Sequence, residues 1–263
     1  MYAIGLLISL IIGVVLGLVG GGGSILTVPL VHYFFGESML LATTYSLFVV
    51  AIAASFGVVQ RFKNGQVDLR KGFIFVIPSM LTAFSIRMWL MPLFPISFSI
   101  SDFALSRDIV ITALLIIVMF YTAFKTLFSK RKPSEGPTPI YVVILFGVLT
   151  GILSGFIGAG GGFIIVPILL RLGLDMKKAV GTSMFIIAIQ SYIALIGDSF
   201  NEEITSGEGI DWPLLLTITA ITVGGVIIGG FFQKKVSGPF LRKVFSIVLL
   251  VVASGLIYKM ATN

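Results

Sequence analysis

The sequence predicts an all-α polytopic membrane protein made of two inverted repeats, each of which is a glycine-broken helical hairpin followed by three transmembrane helices. Three observations lead to this fold class. The composition is that of a membrane protein, and one glycine-rich motif occurs twice at a constant spacing. The basic residues, finally, gather on one side of the membrane only if the glycine-rich units are hairpins.

The composition identifies the broad class of the protein. Of the 263 residues, 57% are hydrophobic and 11% are charged, and the mean hydropathy is +1.11. A soluble domain has about 25% charged residues. Several uncharged stretches reach or approach the roughly 18–20 residues that cross a bilayer core. The net charge of +7 therefore indicates the Lys- and Arg-rich cytoplasmic loops of a membrane protein rather than binding to nucleic acid. The absence of cysteine excludes disulfides and thiolate metal sites.

A glycine-rich motif occurs once in each half of the chain. The segment GVVLGLVGGGGSILTVPL (13–30) aligns without a gap with GILSGFIGAGGGFIIVPI (151–168). After one residue is dropped, GESMLLATTYSLFVVA (36–51) aligns with GLDMKKAVGTSMFIIA (173–188). The two similar halves meet in a charged, proline-containing segment, which is typical of a linker. We therefore predict a first repeat over 1–129, a cytoplasmic linker over 130–139 and a second repeat over 140–263.

The distribution of basic residues predicts how the chain crosses the membrane. Each half has four apolar units, with the glycine-rich unit first: 2–35, 39–60, 72–94 and 107–128, then 140–172, 177–197, 212–232 and 240–260. If every unit crossed once, the Lys and Arg residues would divide 9 to each side. If the glycine-rich units are hairpins, 15 lie on one side and only Arg87, Arg107 and Lys259 on the other. Because cytoplasmic loops carry the excess of Lys and Arg, hairpins are favoured.

The two halves are expected to have opposite orientations. A hairpin that returns to its own side and three spans make an odd number of crossings, so the second half is upside down relative to the first. The basic loop 61–71 accordingly corresponds to the acidic loop 198–211, and both termini face away from the cytoplasm. Inverted repeats with broken helices that meet near the midplane are typical of secondary transporters.

The glycine runs are expected to form an anion site. A helix that restarts at Ser24 or Phe163 presents unpaired N–H groups and the positive end of its dipole, and such ends bind anions. The alternative is close packing through small residues, which suits the spaced glycines Gly13, Gly17, Gly224 and Gly225 but not four adjacent ones. The candidate substrate-binding residues are Gly20, Gly21, Gly22, Gly23, Ser24, Thr44, Ser46, Gly158, Gly160, Gly161, Gly162, Thr182, Ser183, Gln190 and Arg87.

Several polar candidates have a second interpretation. The hydroxyls of Thr44, Ser46, Thr182 and Ser183 can instead satisfy carbonyls of their own helices. Gln190 is mid-span, where its amide either binds substrate or bonds a neighbouring helix. Arg87 either marks the substrate path or extends to the outer surface. His32, the one histidine, is interpreted as a structural residue rather than a proton relay.

The sequence shows neither a carboxylate in the middle of a span nor a catalytic motif. All eleven carboxylates fall in loops or at the ends of spans, which disfavours a buried acidic site for a coupling cation. No Ser/His/Asp set, carboxylate pair or nucleotide-binding loop is present, and one histidine cannot build a zinc site. We therefore expect no enzymatic activity, no cofactor and no metal.

The paired stretches GLVGGGGSILTVPLV and GFIGAGGGFIIVPIL, followed by ATTYS and AVGTS, resemble the sulfite exporter TauE/SafE family of membrane permeases over nearly the whole chain. The resemblance implies export of sulfite, sulfonates such as sulfoacetate, or related small oxyanions across a bacterial inner membrane. The distribution of basic residues then predicts that both termini are periplasmic. The segment 78–89, PSMLTAFSIRMW, departs from it because it lacks the glycines of its counterpart. An anion channel of the same architecture and a membrane scaffold without transport are the alternatives. The expected partners are a small anion, the lipid bilayer and, for a homodimer, a second copy of the chain.

Overall fold

The computed structural model describes residues 2–93, 97–100, 103–128, 139–205, 209–233 and 238–262, and it confirms an all-α polytopic membrane protein. In this part of the chain, seven helices are long and apolar enough to cross a membrane, and Phe245–Met260 is a shorter apolar stretch within the last helix. The predicted linker 130–139 lies outside the described residues except for Pro139. The boundaries of the two repeats and their inverted orientation stay predictions.

The first half contains two broken helical units, two long unbroken helices and a short hairpin. Its elements are α1 (Tyr2–Val19), a 3₁₀-helix (Gly21–Leu26), α2 (Thr27–Phe35), α3 (Met39–Phe62), α4 (Leu69–Ser85) continued by a π-helical turn (Ile86–Leu90) and α5 (Met91–Leu93), the antiparallel strands β1 (Ser97–Ile100) and β2 (Phe103–Ser106), and α6 (Arg107–Phe128). The β-hairpin was not predicted from the sequence.

The second half repeats the order of the long elements. They are α7 (Ile140–Ile157), α8 (Gly162–Arg171), α9 (Met176–Asp198), the short α10 (Glu202–Thr205), α11 (Trp212–Phe232) and α12 (Gly238–Thr262). In both halves the second and third long helices begin at a side-chain cap, which satisfies an otherwise free N–H group of the first turn. The capping residues are Ser38 on α3, Asp68 on α4, Asp175 on α9 and Asp211 on α11.

Both glycine motifs break their helices as predicted. α1 ends before Gly20, which has φ +81°, and α7 ends at Gly158, which has φ +71°. Only glycine adopts such angles without strain. α2 and α8 have 9 and 10 residues, or about 14 and 15 Å of helix, which is half of a membrane core. The first restart begins at Gly21 rather than Ser24, because a 3₁₀-helix precedes α2, and the second begins at Gly162 rather than Phe163.

Helices of each half pack against helices of the other half. α1 packs against α11 and α7 against α4, so the first helix of each half lies on the third long helix of the other, while α3 pairs with α9. Glycines bring these backbones together: a Cβ atom at Gly13 would lie 3.0 Å from the Cα of Gly225, and one at Gly17 would lie 3.0 Å from that of Gly229. The packing role predicted for Gly224 is wrong, since nothing lies within 4 Å of its Cβ position.

Candidate functional site

The two glycine loops, residues 20–24 and 158–162, meet inside the bundle. A Cβ atom at Gly21 would lie 2.7 Å from the Cα of Gly162, and one at Gly162 would overlap the backbone of Gly21. The Ser24 hydroxyl donates to the carbonyl of Gly21 at 2.6 Å and to that of Ala159 in the other loop. Neither helix start has a side-chain cap. Two uncapped helix N-termini are therefore held together in the protein interior by backbone contact and one serine.

Helix α9 runs past both loops with a single face. A Cβ atom at Gly20 would lie 2.7 Å from the Oγ of Ser183, and one at Gly160 would lie 2.8 Å from the Cγ2 of Ile187 and 3.5 Å from the Oγ of Ser191. The spacing of Ser183, Ile187 and Ser191 is four residues, which places them on one side of a helix. Ser191 was not among the predicted site residues. Its position two helical turns after Ser183 was the signal that could have identified it.

The remaining loop glycines contact the surrounding helices closely. Cβ atoms at Gly22 and Gly23 would lie 3.0 Å from the ring of Phe245 and 2.8 Å from the backbone nitrogen of Leu16. In the second loop, Gly158 and Gly161 face the backbone of Thr43 and the side chain of Thr150. No larger side chain fits at these positions without displacing a neighbour, so space requires glycine at all four, and a positive φ also requires it at Gly158 and Gly161.

Five buried side chains of α2, α3, α7 and α9 have no hydrogen-bond partner for any of their polar atoms in the described part of the chain, and Ser191 among them faces Gly160. They are Thr27, Ser46, Ser154, Gln190, for which both amide atoms are unpartnered, and Ser191. Ser46, Gln190 and Ser191 are fully buried. Native proteins leave few buried polar groups unpaired, because each one costs about 1–3 kcal/mol. These groups are therefore available to hydrogen-bond a polar ligand or water.

Three predicted site residues make their hydrogen bonds elsewhere. Thr182 accepts a hydrogen bond from the backbone N–H of Asp68, at the start of α4. Thr44 donates to the carboxylate of Asp198 at 2.9 Å, and Arg87 donates to both oxygens of that carboxylate at 3.1 Å. As substrate-binding residues, Thr44, Thr182 and Arg87 stay predictions. Ser183, in contrast, donates to the carbonyl of Val180 within its own helix while facing Gly20.

Arg87 and Asp198 form a buried ion pair that the sequence did not reveal. The interpretation that Arg87 extends to the surface is wrong, because its side chain is fully buried. Asp198 is the last residue of α9, as expected of a carboxylate at the end of a span, but its side chain is only 3% exposed. Such a pair persists only where the two charges satisfy each other, since the interior does not solvate them.

Two further features lie outside the meeting point of the two glycine loops. His32 is in the last turn of α2, and its Nδ1 lies 2.7 Å from the carbonyl oxygen of Glu37, which fits a structural role. A cavity of about 340 Å³ between α1, α2 and α12 is lined by apolar side chains and Lys259, whose Nζ lies 4.1 Å above the ring of Tyr33. Among the described residues, no group of three His, Asp or Glu side chains is placed to hold a metal ion.

A multi-pass helical protein with two broken helices that meet inside it has the architecture of a membrane transporter. The chain belongs to the sulfite exporter TauE/SafE family, whose family model matches residues 5–256. This membership and the apolar helices make it a transmembrane protein of a transporter family.

Two of the curated relatives match nearly the full length of the chain, and a third matches part of it. A probable membrane transporter protein of Haemophilus influenzae is 27% identical, with 97% of each chain aligned. The probable membrane transporter protein YunE of Bacillus subtilis is 26% identical over 98% of both chains. The sulfite exporter TauE/SafE family protein 3 of Arabidopsis thaliana is 35% identical, but over 30% of this chain and 17% of its own length. No solved structure matches the chain.

Proposed function

We propose that this protein is a secondary transporter that exports small sulfur oxyanions or organosulfonates, such as sulfite or a sulfoacetate-like compound, across a bacterial inner membrane. The observation that carries the proposal is the meeting of two uncapped helix starts that begin at glycine, with the buried and unpartnered hydroxyl of Ser191 beside one of the loops. The name of the family supplies the class of anion.

The chemistry of this centre suits an oxyanion. A helix start concentrates backbone N–H donors and about half a positive charge, and both favour an anion. Glycine permits an anion to approach the backbone closely. Ser191, which faces Gly160, adds a donor that is already desolvated, so a ligand that accepts its hydrogen bond recovers the free energy of leaving it unpaired.

An anion channel of the same architecture is the second candidate function, and the contact between the loops favours the transporter over it. Gly21 and Gly162 touch at the centre of the protein, so an anion reaches this point only if the loops separate. A transporter makes such a change once in each cycle, whereas a channel keeps its path open for many ions. A scaffold without transport, the third alternative, leaves the unpaired polar groups without a role.

The substitution Gly160→Val tests the proposal. Gly160 has φ +60° and faces Ile187 and Ser191, so valine would both strain the loop and fill the centre. We expect flux of radiolabelled sulfite and of sulfoacetate into proteoliposomes to fall by at least about tenfold, because the valine side chain would occupy the space beside Ile187 and Ser191 and overpacking costs about 1–3 kcal/mol.

Gly173→Val is the matched control. Gly173 also has a positive φ, +79°, but nothing lies within 4 Å of its Cβ position. Both variants therefore carry similar backbone strain, and only one of them fills the proposed site. Flux at the wild-type rate in Gly160→Val would contradict the proposal. A flux in the wild-type protein that exceeds carrier rates and shows no countertransport would favour the channel.

A further inference from the structure

Arg61 is a buried cation that contacts only neutral groups. It lies in the last turn of α3 and is 2% exposed. Its Nη1 donates to the carbonyl of Gly57 at 3.3 Å and lies 2.9 Å from the sulfur of Met184. Its Nη2 donates to the carbonyl of Gly17 and to the Oε1 of Gln233, the latter at 3.2 Å. Its Nε has no partner in the described part of the chain.

The other two arginines that are buried among the described residues have carboxylate partners. Arg87 pairs with Asp198, and Arg107 pairs with Glu203. Among the described residues, no carboxylate oxygen lies within salt-bridge distance of Arg61. Asp68, the carboxylate that follows it most closely in the chain, instead accepts a hydrogen bond from the backbone N–H of Lys71. Because an uncompensated charge in a protein interior is costly, Arg61 requires an explanation.

Arg61 lies beside the first glycine loop. A Cβ atom at Gly181 would lie 3.3 Å from the Cδ of Arg61, and Met184 contacts its guanidinium. Gly20, the first glycine of the first glycine loop, faces Val180 and Ser183 of α9. Arg61 and Gly20 therefore contact the same turn of α9. Arg61 also donates a hydrogen bond to the carbonyl of Gly17, three residues before Gly20, which is a second connection between Arg61 and the first glycine loop.

We propose that Arg61 binds the transported anion and adds a full positive charge to the partial charges of the two helix starts. The proposal rests on the function proposed above. The ligand class is a small, fully ionised oxyanion with at least two oxygens on one atom, such as a sulfonate or sulfite. The Nε–H of Arg61 has no partner in the described part of the chain, and its Nη donors are held only by neutral groups such as the Oε1 of Gln233. An anion that displaces one of these neutral acceptors binds through two parallel N–H donors, which match two oxygens on one atom.

The repeat makes the two ends of the protein chemically different. With the spacing that aligns 36–51 with 173–188, Arg61 corresponds to Asp198. At the Asp198 end, Arg87 already neutralises the charge. At the Arg61 end, which the basic loops predict to be cytoplasmic, the charge has no counter-ion from the described residues. An anion is therefore attracted at the side from which an exporter takes its substrate.

The test compares Arg61→Gln and Arg61→Lys in the full-length protein. Sulfite and sulfoacetate binding is measured by calorimetry in detergent, and flux is measured in proteoliposomes. We expect Arg61→Gln to weaken binding of both anions by at least about tenfold, because a hydrogen bond to a charged group is worth that much or more. Arg61→Lys keeps the positive charge but loses the paired N–H donors of the guanidinium. Its affinity for both anions is therefore expected to lie between that of the wild type and that of Arg61→Gln. The anion should also raise the melting temperature of the wild type but not that of Arg61→Gln.

Arg107→Gln is the matched control, because Arg107 is also a buried arginine but already has a carboxylate partner, Glu203. It is expected to bind both anions as the wild type does. The inference is overturned if Arg61→Gln melts at a lower temperature but binds both anions with wild-type affinity, because Arg61 then only caps α1. If Arg61→Gln does not fold, the same criterion applies to Arg61→Lys. If the wild type itself neither binds nor transports either anion, the proposed function fails first.

Discussion

Charged side chains inside this bundle are held by partners from distant parts of the chain. The carboxylate of Asp198 receives hydrogen bonds from Arg87 and Thr44, which are 111 and 154 residues away in sequence. Removing one partner of such a buried pair costs about 3–5 kcal/mol, because the other charge is left unsolvated. The cluster therefore ties the end of α9 to α3 and to the π-helical turn after α4.

The pair of Arg107 and Glu203 is more exposed and gives a prediction about pH. Arg107 donates to the two carboxylate oxygens of Glu203 at 2.8 and 2.5 Å. The hydrogen bonds from Arg107 lower the pKa of Glu203 from its ordinary value of 4.5. Because the pKa is lower in the folded state than in the unfolded state, the pair stabilises the protein above about pH 4.5. That stability is lost as the pH falls through the folded-state pKa.

We therefore expect Glu203→Gln to lower the melting temperature at pH 7 and not at strongly acid pH. The loss at pH 7 should be small, about 0–1 kcal/mol, since the Glu203 side chain is 44% exposed and solvent screens the pair. The measurement is thermal unfolding of both proteins in detergent between about pH 3 and pH 7. A difference that does not change with pH would show that the ion pair is not its source.

Local sequence predicted which residues are polar and central, but not which of them pair. Ser24, Gly160 and Ser183 could be placed near one another because each belongs to a motif or to its repeat. The partners of Thr44 and Arg87 could not, because a hydrogen bond across more than 100 residues leaves no local pattern. Arg61 was counted as a loop residue for the same reason: its burial depends on the carbonyl of Gly17 and on α9.

Among the helices, the contact between α1 and α11 depends on glycines at every fourth position. Gly13 and Gly17 on α1 meet Gly225 and Gly229 on α11, which is the small-residue spacing that lets membrane helices approach closely. α7 and α4 meet differently. Gly147, Gly151 and Gly155 of α7 contact the backbone or side chains of α4, which provides no glycines of its own at this interface.

Two neighbouring glycines of α11 provide a direct test of this packing. At Gly225 a Cβ atom would lie 2.8 Å from the Cα of Gly13, whereas at Gly224 it would meet nothing within 4 Å. We expect Gly225→Val to destabilise the protein by about 1–3 kcal/mol or more through overpacking. Gly224→Val should change stability by no more than about 0.5 kcal/mol. Thermal unfolding in detergent measures both. Equal loss in the two variants would mean that valine disturbs α11 itself and not its contact.

The helical elements were largely predictable, and the departures have local causes. Adjacent glycines predicted both helix breaks because no other residue type prevents a helix so strongly except proline. The 3₁₀-helix of Gly21–Leu26 was not predicted, since a hydrogen-bond pattern one residue shorter has no signature in composition. The same holds for the π-helical turn at Ile86–Leu90. The strands Ser97–Ile100 and Phe103–Ser106 lie in a segment that was assigned to a loop.

For the whole molecule, the exchange of packing partners means that neither half is complete alone. α1 lies on a helix of the second half and α7 on a helix of the first, and the hydroxyl of Ser24 bonds the carbonyl of Ala159 across the centre. Both glycine loops are thus supported by helices of both halves. A movement of one half against the other therefore changes the centre directly, which is how repeat-built transporters expose a central site to alternate sides.

The opposite orientation of the halves is tested by two equivalent positions. With the spacing that aligns 36–51 with 173–188, Lys63 corresponds to Phe200, and both residues are exposed. The chain has no cysteine, so Lys63→Cys and Phe200→Cys each introduce a single thiol. The excess of Lys and Arg predicts that the loop at 61–71 is cytoplasmic, and an odd number of crossings then predicts that Phe200 lies outside.

We expect a membrane-impermeant maleimide to label Phe200→Cys in intact cells and Lys63→Cys only after the membrane is opened. Lys177→Cys is the control, because Lys177 is exposed in the basic loop 171–178 of the second half and should behave like Lys63→Cys. Labelling of both equivalent positions from the same side would mean parallel halves. The two helix starts would then be related by an axis along the membrane normal, and movement of one half against the other would no longer exchange the two ends of the anion path.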